Sequence, residues 1–191
     1  MKKILTIVLL ALLTFSFVSC GDDGPSVEGF TTAINNSDPD SIVVKIKSAT
    51  ALGELSGTYT VTYNEDGSFT IDYVYEKFND IGEGEGLISK VPGKVTCDKN
   101  GNYSDGGELT GKTALVTGAK INLSKISGAT ISQDGNSLTA TVKAANTKAV
   151  LGVELPSDAE LLITKANDAI ASYSIKYSNA SGEVIVSCEY N

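Results

Sequence analysis

The 191-residue chain has no histidine, no arginine and no tryptophan, and only three cysteines, four prolines and one methionine. Each absence removes a class of chemistry. Without histidine there is no Ser-His-Asp or Cys-His nucleophile, no His-ligated zinc and no ordinary proton shuttle at neutral pH. Lysine could serve as a base, but no serine lies three residues before a lysine and none has glycine at both −2 and +2. The Ser-x-x-Lys and nucleophile-elbow patterns are therefore missing. Without arginine, bidentate clamping of phosphate or carboxylate is unavailable. The glycine-rich stretch Gly82-Glu83-Gly84-Glu85-Gly86 puts acids where a phosphate would sit. No C-x-x-C is present, which removes the usual dithiol redox motif. A pair of carboxylates facing each other in a cleft is the catalytic arrangement left open. The chain reads as non-enzymatic, with no cofactor and no metal expected.

Long apolar runs are scarce too. The only one, Ile4 to Val18, follows the basic start Met1-Lys2-Lys3 and is broken by Thr6, Thr14 and Ser16 alone. At about 15 residues it is shorter than the roughly 20 a spanning helix needs, and it has the shape of a secretory signal peptide. Phe17-Val18-Ser19-Cys20 resembles a bacterial lipobox, with Phe17 where leucine is usual. The resemblance implies cleavage before Cys20 and a diacylglyceryl group on its thiol. It divides the chain into a signal peptide (1–19), a lipidated tether (20–25) and one β-rich domain (26–191). A thioether lipid with a further acyl chain would hold the protein to the cell membrane or outer membrane, since a single chain binds only marginally. Asp22 and Asp23 resemble the surface-export tag of Bacteroidota lipoproteins, which implies exposure on the cell surface.

Loss of residues 1–19 removes two lysines and no acids. The remaining 172 residues carry 13 lysines against 23 Asp+Glu, a net charge of −10. Such a surface repels phosphate backbones and anionic headgroups, which argues against nucleic acid as a partner and leaves the acyl group to make the membrane contact.

From residue 26 onward the pattern is that of a sheet. Ser26 to Asn35 has helical spacing (Val27, Phe30, Ala33, Ile34), with Ser26 placed to cap it. Residues 42–52 then read as a strand. Thr58–Tyr63 and the strand from Phe69 form a hairpin about Asn64-Glu65-Asp66-Gly67, with Phe69, Ile71, Tyr73 and Tyr75 on one face. Asn79 to Val91 reads as a loop and Gly93 to Asp98 as a short strand. Residues 109–125 keep no steady period. Ile126–Ile131 and Leu138–Lys143 flank a second turn at residues 133–136. Asn146–Leu151 reads as a short helix ended by Gly152. Two strands follow, 160–165 and 169–178, the latter with Ala171, Tyr173, Ile175 and Tyr177 on one face. A last strand carries Val184, Val186, Cys188 and Tyr190 on one face.

The fold class is thus mainly β (α+β): a single antiparallel meander sheet with one buried face, one N-terminal helix and one short internal helix. This order resembles the LolA-like lipoprotein-carrier architecture, with Asn146–Gly152 as a lid and Ala169–Tyr190 as the closing hairpin. The resemblance implies a half-open barrel around a greasy cavity; a closed β-sandwich is the alternative. Three features could carry function. Cys97 and Cys188 both point to the apolar side, either as a disulfide, which export would permit, or as two buried free thiols. Asp98, Asn100, Asn102 and Asp105 have some of the spacing of a calcium loop, but Gly101 comes too early and no closing glutamate follows, so a plain turn is the simpler reading. Most of the eight tyrosines fall on inner faces, as core or as the lining of a site for an apolar or sugar ligand. The expected function is a lipid-anchored, non-catalytic binding or interaction role at the cell envelope. The alternative is a carrier of a lipid or other hydrophobic ligand. The expected partners are a membrane, through Cys20, and a small hydrophobic ligand or another envelope protein.

Overall fold

The computed structural model of the chain describes residues 27–82, 85–126 and 131–191. The signal peptide, Cys20, the tether, Ser26 and Glu83-Gly84 lie outside the described residues. In chain order the elements are helix α1 (Glu28–Asn36) and strands β1 (Ser41–Thr50), β2 (Gly53–Tyr63), β3 (Phe69–Gly82) and β4 (Glu85–Cys97). Helix α2 (Glu108–Lys112), strands β5 (Ile131–Asp134) and β6 (Ser137–Val142) and helix α3 (Thr147–Leu151) follow. The chain ends in β7 (Ala159–Ala166), β8 (Ala169–Asn179) and β9 (Gly182–Tyr190). Short 3₁₀ turns occupy Leu123–Lys125 and Ala144–Asn146.

All the strands join one antiparallel sheet in the order β4-β3-β2-β1-β9-β8-β7-β6-β5. The sheet is not closed into a barrel: β4 and β5 are its two edges. Its middle is the contact of the first strand with the last, Val44 opposite Cys188 and Ile46 opposite Val186. Alternation buries one face. Ile42, Val44 and Ile46 of β1 point inward with Val184, Val186 and Cys188 of β9, and Leu161, Ile163 and Ile175 are fully buried beside them.

The edges dictate what covers that face. Because β4 and β5 lie at opposite ends of the strand order, the chain between them must cross the sheet. This crossing segment sets Leu109, Leu115, Val116 and Leu123 into the core. Helix α1 adds Phe30 and Ala33, and α3 adds Val150 and Leu151, so one continuous apolar cluster fills the inner face. Leu115 sits at φ 80, left-handed backbone uncommon for leucine. Burial of its side chain offsets that cost.

Several elements depart from the sequence pattern for identifiable reasons. Residues 79–91 are largely strand, not loop: β3 and β4 pair continuously from Phe69↔Cys97 to Asp80↔Gly86. Pro92 is tolerated because β4 is an edge. Thr96, four residues on and of the same parity, turns its backbone outward to Ser104, so the N–H that proline lacks would have faced away from β3. Beyond Gly57↔Tyr75, β3 has no partner in β2, and residues 76–82 and 85–91 run on as a two-stranded ribbon. Of the strand placed at 126–131, residues 127–130 lie outside the described residues; β5 is described from Ile131, and its turn tightens to Gly135-Asn136 between the paired Asp134 and Ser137. In β8 the register slips so that Lys165 faces Ile170 while Thr164 faces Ser172. Ala171 is the extra residue of a bulge, and Ile170 takes the inward place. Residues 109–125 hold the additional helix α2 and one of the 3₁₀ turns.

Candidate functional site

At the ribbon end of the sheet the inner face is left partly uncovered. A cleft of about 460 Å³ opens there between the sheet, the crossing segment at 111–114 and the loop 154–156. Its floor is aliphatic, from Ile46, Leu55, Leu155 and Val184, and three tyrosines line it, Tyr59, Tyr75 and Tyr177. Tyr75 on β3 and Tyr177 on β8 are four strand steps apart, about 19 Å on a flat sheet, so their meeting at one cleft shows that the sheet curls.

The rings are held in place. Tyr75 stacks on Tyr73 with centroids 5.8 Å apart, and Tyr73 tilts against Tyr59 at 6.2 Å. Glycines make room for two of them: a Cβ on Gly57 would lie 2.8 Å from the Tyr59 hydroxyl, and one on Gly93 2.2 Å from that of Tyr73. Burial pushes the Tyr59 phenol up, although its hydroxyl bonds the Thr113 side chain; burial raises Tyr177 as well.

The rim is polar. Ser56 donates both its N–H and its hydroxyl to Oε2 of Glu76, at 2.9 and 2.7 Å, and these bonds hold the Glu76 carboxyl below the usual range. Asn179 accepts on Oδ1 from the N–H groups of Ser181 and Gly182, at 2.8 and 3.1 Å. Glu154 and Lys112 complete the rim, the latter bonded to Glu108. A second groove, about 490 Å³, runs beside α1 against Lys120, Ile121 and Tyr190. It has no carboxylate and a single aromatic ring, and so offers less for recognition.

Of the two alternatives for the cysteines, the structure has free thiols: Cys97 and Cys188 are both buried and unbonded. The register explains why. Cys188 shares its row with Val44, Tyr59, Tyr73 and Gly93, and Cys97 lies four residues beyond Gly93, about 13 Å along the strand, too far for a bridge. Burial pushes the Cys188 thiol up to about 11, against a smaller opposite pull from the Tyr173 hydroxyl. That hydroxyl also accepts the Ala119 N–H of the crossing segment, tying it to the sheet. Tyr190 is pushed up to about 12, first by burial and then by Cys188.

Both folded-state values lie above the ordinary ones near 9 and 10. The stabilisation they represent is complete below pH 9 and is lost as pH rises toward 11 and 12. Urea midpoints should therefore be level to pH 8.5 and fall steeply from pH 9 to 11, and Cys188→Ala should flatten the onset of that fall. A level profile to pH 11 would contradict this account of the buried thiol.

The turn with calcium-like spacing uses its carboxylates internally. Asp98 Oδ1 accepts from Asn100 and Asn102 N–H groups at 2.8 and 2.9 Å, and Oδ2 from Asn102 Nδ2 at 2.9 Å. Asp105 accepts from Gly107 and Leu109 and so starts α2. Among the described residues no cluster of three or more His, Cys, Asp or Glu could hold a metal. Nor is any described helix long and apolar enough to cross a membrane.

The alternation of the sequence marks the tyrosines. It gives no sign of Lys112, Thr113 and the 154–156 loop, which reach the cleft because the crossing segment and the loop before β7 fold over one end of the sheet. No local signal marks them.

No protein-family model and no curated protein matches this chain. Among solved structures it is similar to LprF from Mycobacterium bovis, at 14% identity and a TM-score of 0.38, over 87% of this chain and 94% of that one. It also overlaps a redesigned β-barrel, mFAP1, solved bound to DFHBI, at 12% identity and a TM-score of 0.24, over 84% of this chain and 99% of that one. Likenesses at this level do not extend to function.

Proposed function

We propose that this chain is a lipid-anchored protein of the cell envelope, non-catalytic, that binds a small ligand in the cleft at the ribbon end of its sheet. The observation that carries the reading is the convergence of three tyrosines, an aliphatic floor and a polar rim on one open recess. Its volume lies within the range of small-molecule sites. Anchoring follows from the lipobox-like Phe17-Val18-Ser19-Cys20 and the short polar tether. General-acid catalysis at Glu76 would need its carboxyl held protonated near neutral pH, and the bonds from Ser56 drive it the other way.

The carrier reading asks for a deep apolar cavity. The inner face is instead filled by side chains of α1, α3 and the crossing segment, so a long acyl chain would enter only if Leu115 and Val116 left their places. The cleft suits a smaller ligand.

Two measurements test the proposal. The mature chain should begin at a diacylglyceryl Cys20 by mass spectrometry, and Cys20→Ala should abolish that mass. The neutral probe N-phenyl-1-naphthylamine should bind the folded domain saturably at one site, and Ser48→Trp, which fills the cleft from β1, should abolish that binding with Tm unchanged. Unaltered binding by the Ser48→Trp variant would move the site elsewhere.

A further inference from the structure

Resting on that reading, we infer that the ligand is an uncharged polyhydroxy ring compound, a neutral saccharide, stacked on Tyr75 and Tyr177 with its hydroxyls on the rim. The argument is one of donor and acceptor balance. A hydroxyl both donates and accepts, so a sugar needs both kinds of partner side by side, together with a flat apolar surface for the C–H face of its ring.

The cleft offers both. Both bonds from Ser56 fall on Oε2 of Glu76, so Oε1 is the oxygen that meets a ligand donor. The β8–β9 turn engages Oδ1 of Asn179, so Nδ2 is the group that donates. Glu154 adds a second exposed acceptor. The same balance disfavours the other classes. A carboxylate or phosphate requires donors and positive charge, yet Lys112 is matched by Glu108 while Glu76 and Glu154 leave the rim acidic. A fatty chain would leave the carboxylate and amide unmatched against hydrocarbon. The tyrosine rings supply the flat face, Tyr75 held by its stack on Tyr73.

The absence of tryptophan makes the test direct, because tyrosine alone gives the intrinsic emission. The mature domain is titrated with neutral gluco-, manno- and galacto-configured trisaccharides and with a trisaccharide carrying a uronic acid. At least one neutral sugar should change tyrosine emission saturably and be recovered intact. Tyr75→Leu and Glu76→Ala should each weaken it by about tenfold, the scale of one stacked ring or one charged hydrogen bond. Tighter binding of the uronic acid sugar, or hydrolysis of the bound sugar, overturns the inference. So does silence from every sugar while N-phenyl-1-naphthylamine still binds, which leaves the cleft as a site for another class of ligand. Silence from both probes overturns the cleft reading itself.

Discussion

Phe30→Ala should lower stability by about 3–5 kcal/mol, the cost of emptying a fully buried aromatic site, and should detach α1 from the sheet. Nine residues do not hold a helix in water by themselves. What holds α1 is its inner stripe, Phe30 and Ala33, both at zero exposure. A serine relay assists: Ser37 Oγ donates to the Ala33 carbonyl at 2.7 Å and accepts the Ile170 N–H at 2.8 Å. Lys165 Nζ lies 5.4 Å above the centroid of the Phe30 ring. The Ile170 N–H is part of the irregular stretch at the β8 bulge, so losing α1 also exposes a backbone group the sheet does not satisfy. In urea unfolding the midpoint should drop accordingly, with a Tm loss of roughly 10–15 °C. Phe30→Leu, which keeps most of the volume, should cost about 1.5 kcal/mol or less. A loss below 1 kcal/mol for Phe30→Ala would show that the helix is not anchored there.

The second large effect is expected at Gly182, where β9 begins. Its φ is 143°, and a Cβ built on it would lie 2.5 Å from the carbonyl oxygen of Ala49 and 3.2 Å from the carbonyl carbon. Both are backbone atoms of β1, which is bonded on both sides by β2 and β9, so neither can swing aside. Gly182→Ala should therefore cost about 2–4 kcal/mol, combining backbone strain with overpacking. Gly111 provides the contrast. A Cβ there meets nothing within 4 Å, and the residue lies within helix α2. Gly111→Ala should be neutral or stabilising by up to about 1 kcal/mol. Equal effects at the two positions would mean that the junction of the first and last strands is softer than its geometry indicates.

The sheet was legible because period-two alternation is local. Tyr59, Val61, Ile71 and Tyr73, and later Val184, Val186 and Cys188, face inward as their spacing requires. The turn at Gly67 was legible too, since glycine adopts positive φ at low cost. Composition misled at 79–91, where glycines and acids resemble a loop but the partner strand supplies the order. Periodicity misled at Ala171, because a bulge inverts the facing of residues before it and leaves no mark in sequence. The crossing segment had no period to find, since its residues insert singly into a face built by others. The cleft was half visible: its tyrosines alternate on strands, while its polar rim is assembled from five separate stretches of chain.

The most direct test of the account is amide chemical-shift mapping of the mature domain titrated with N-phenyl-1-naphthylamine and with a neutral trisaccharide. Shifts should gather at residues 55–57, 75–76, 111–114, 154–156 and 177–179, the stretches that frame the cleft, and leave α1 and the 119–124 groove unmoved. Shifts confined to that groove, or spread evenly over the sheet, would contradict the assignment of the binding site.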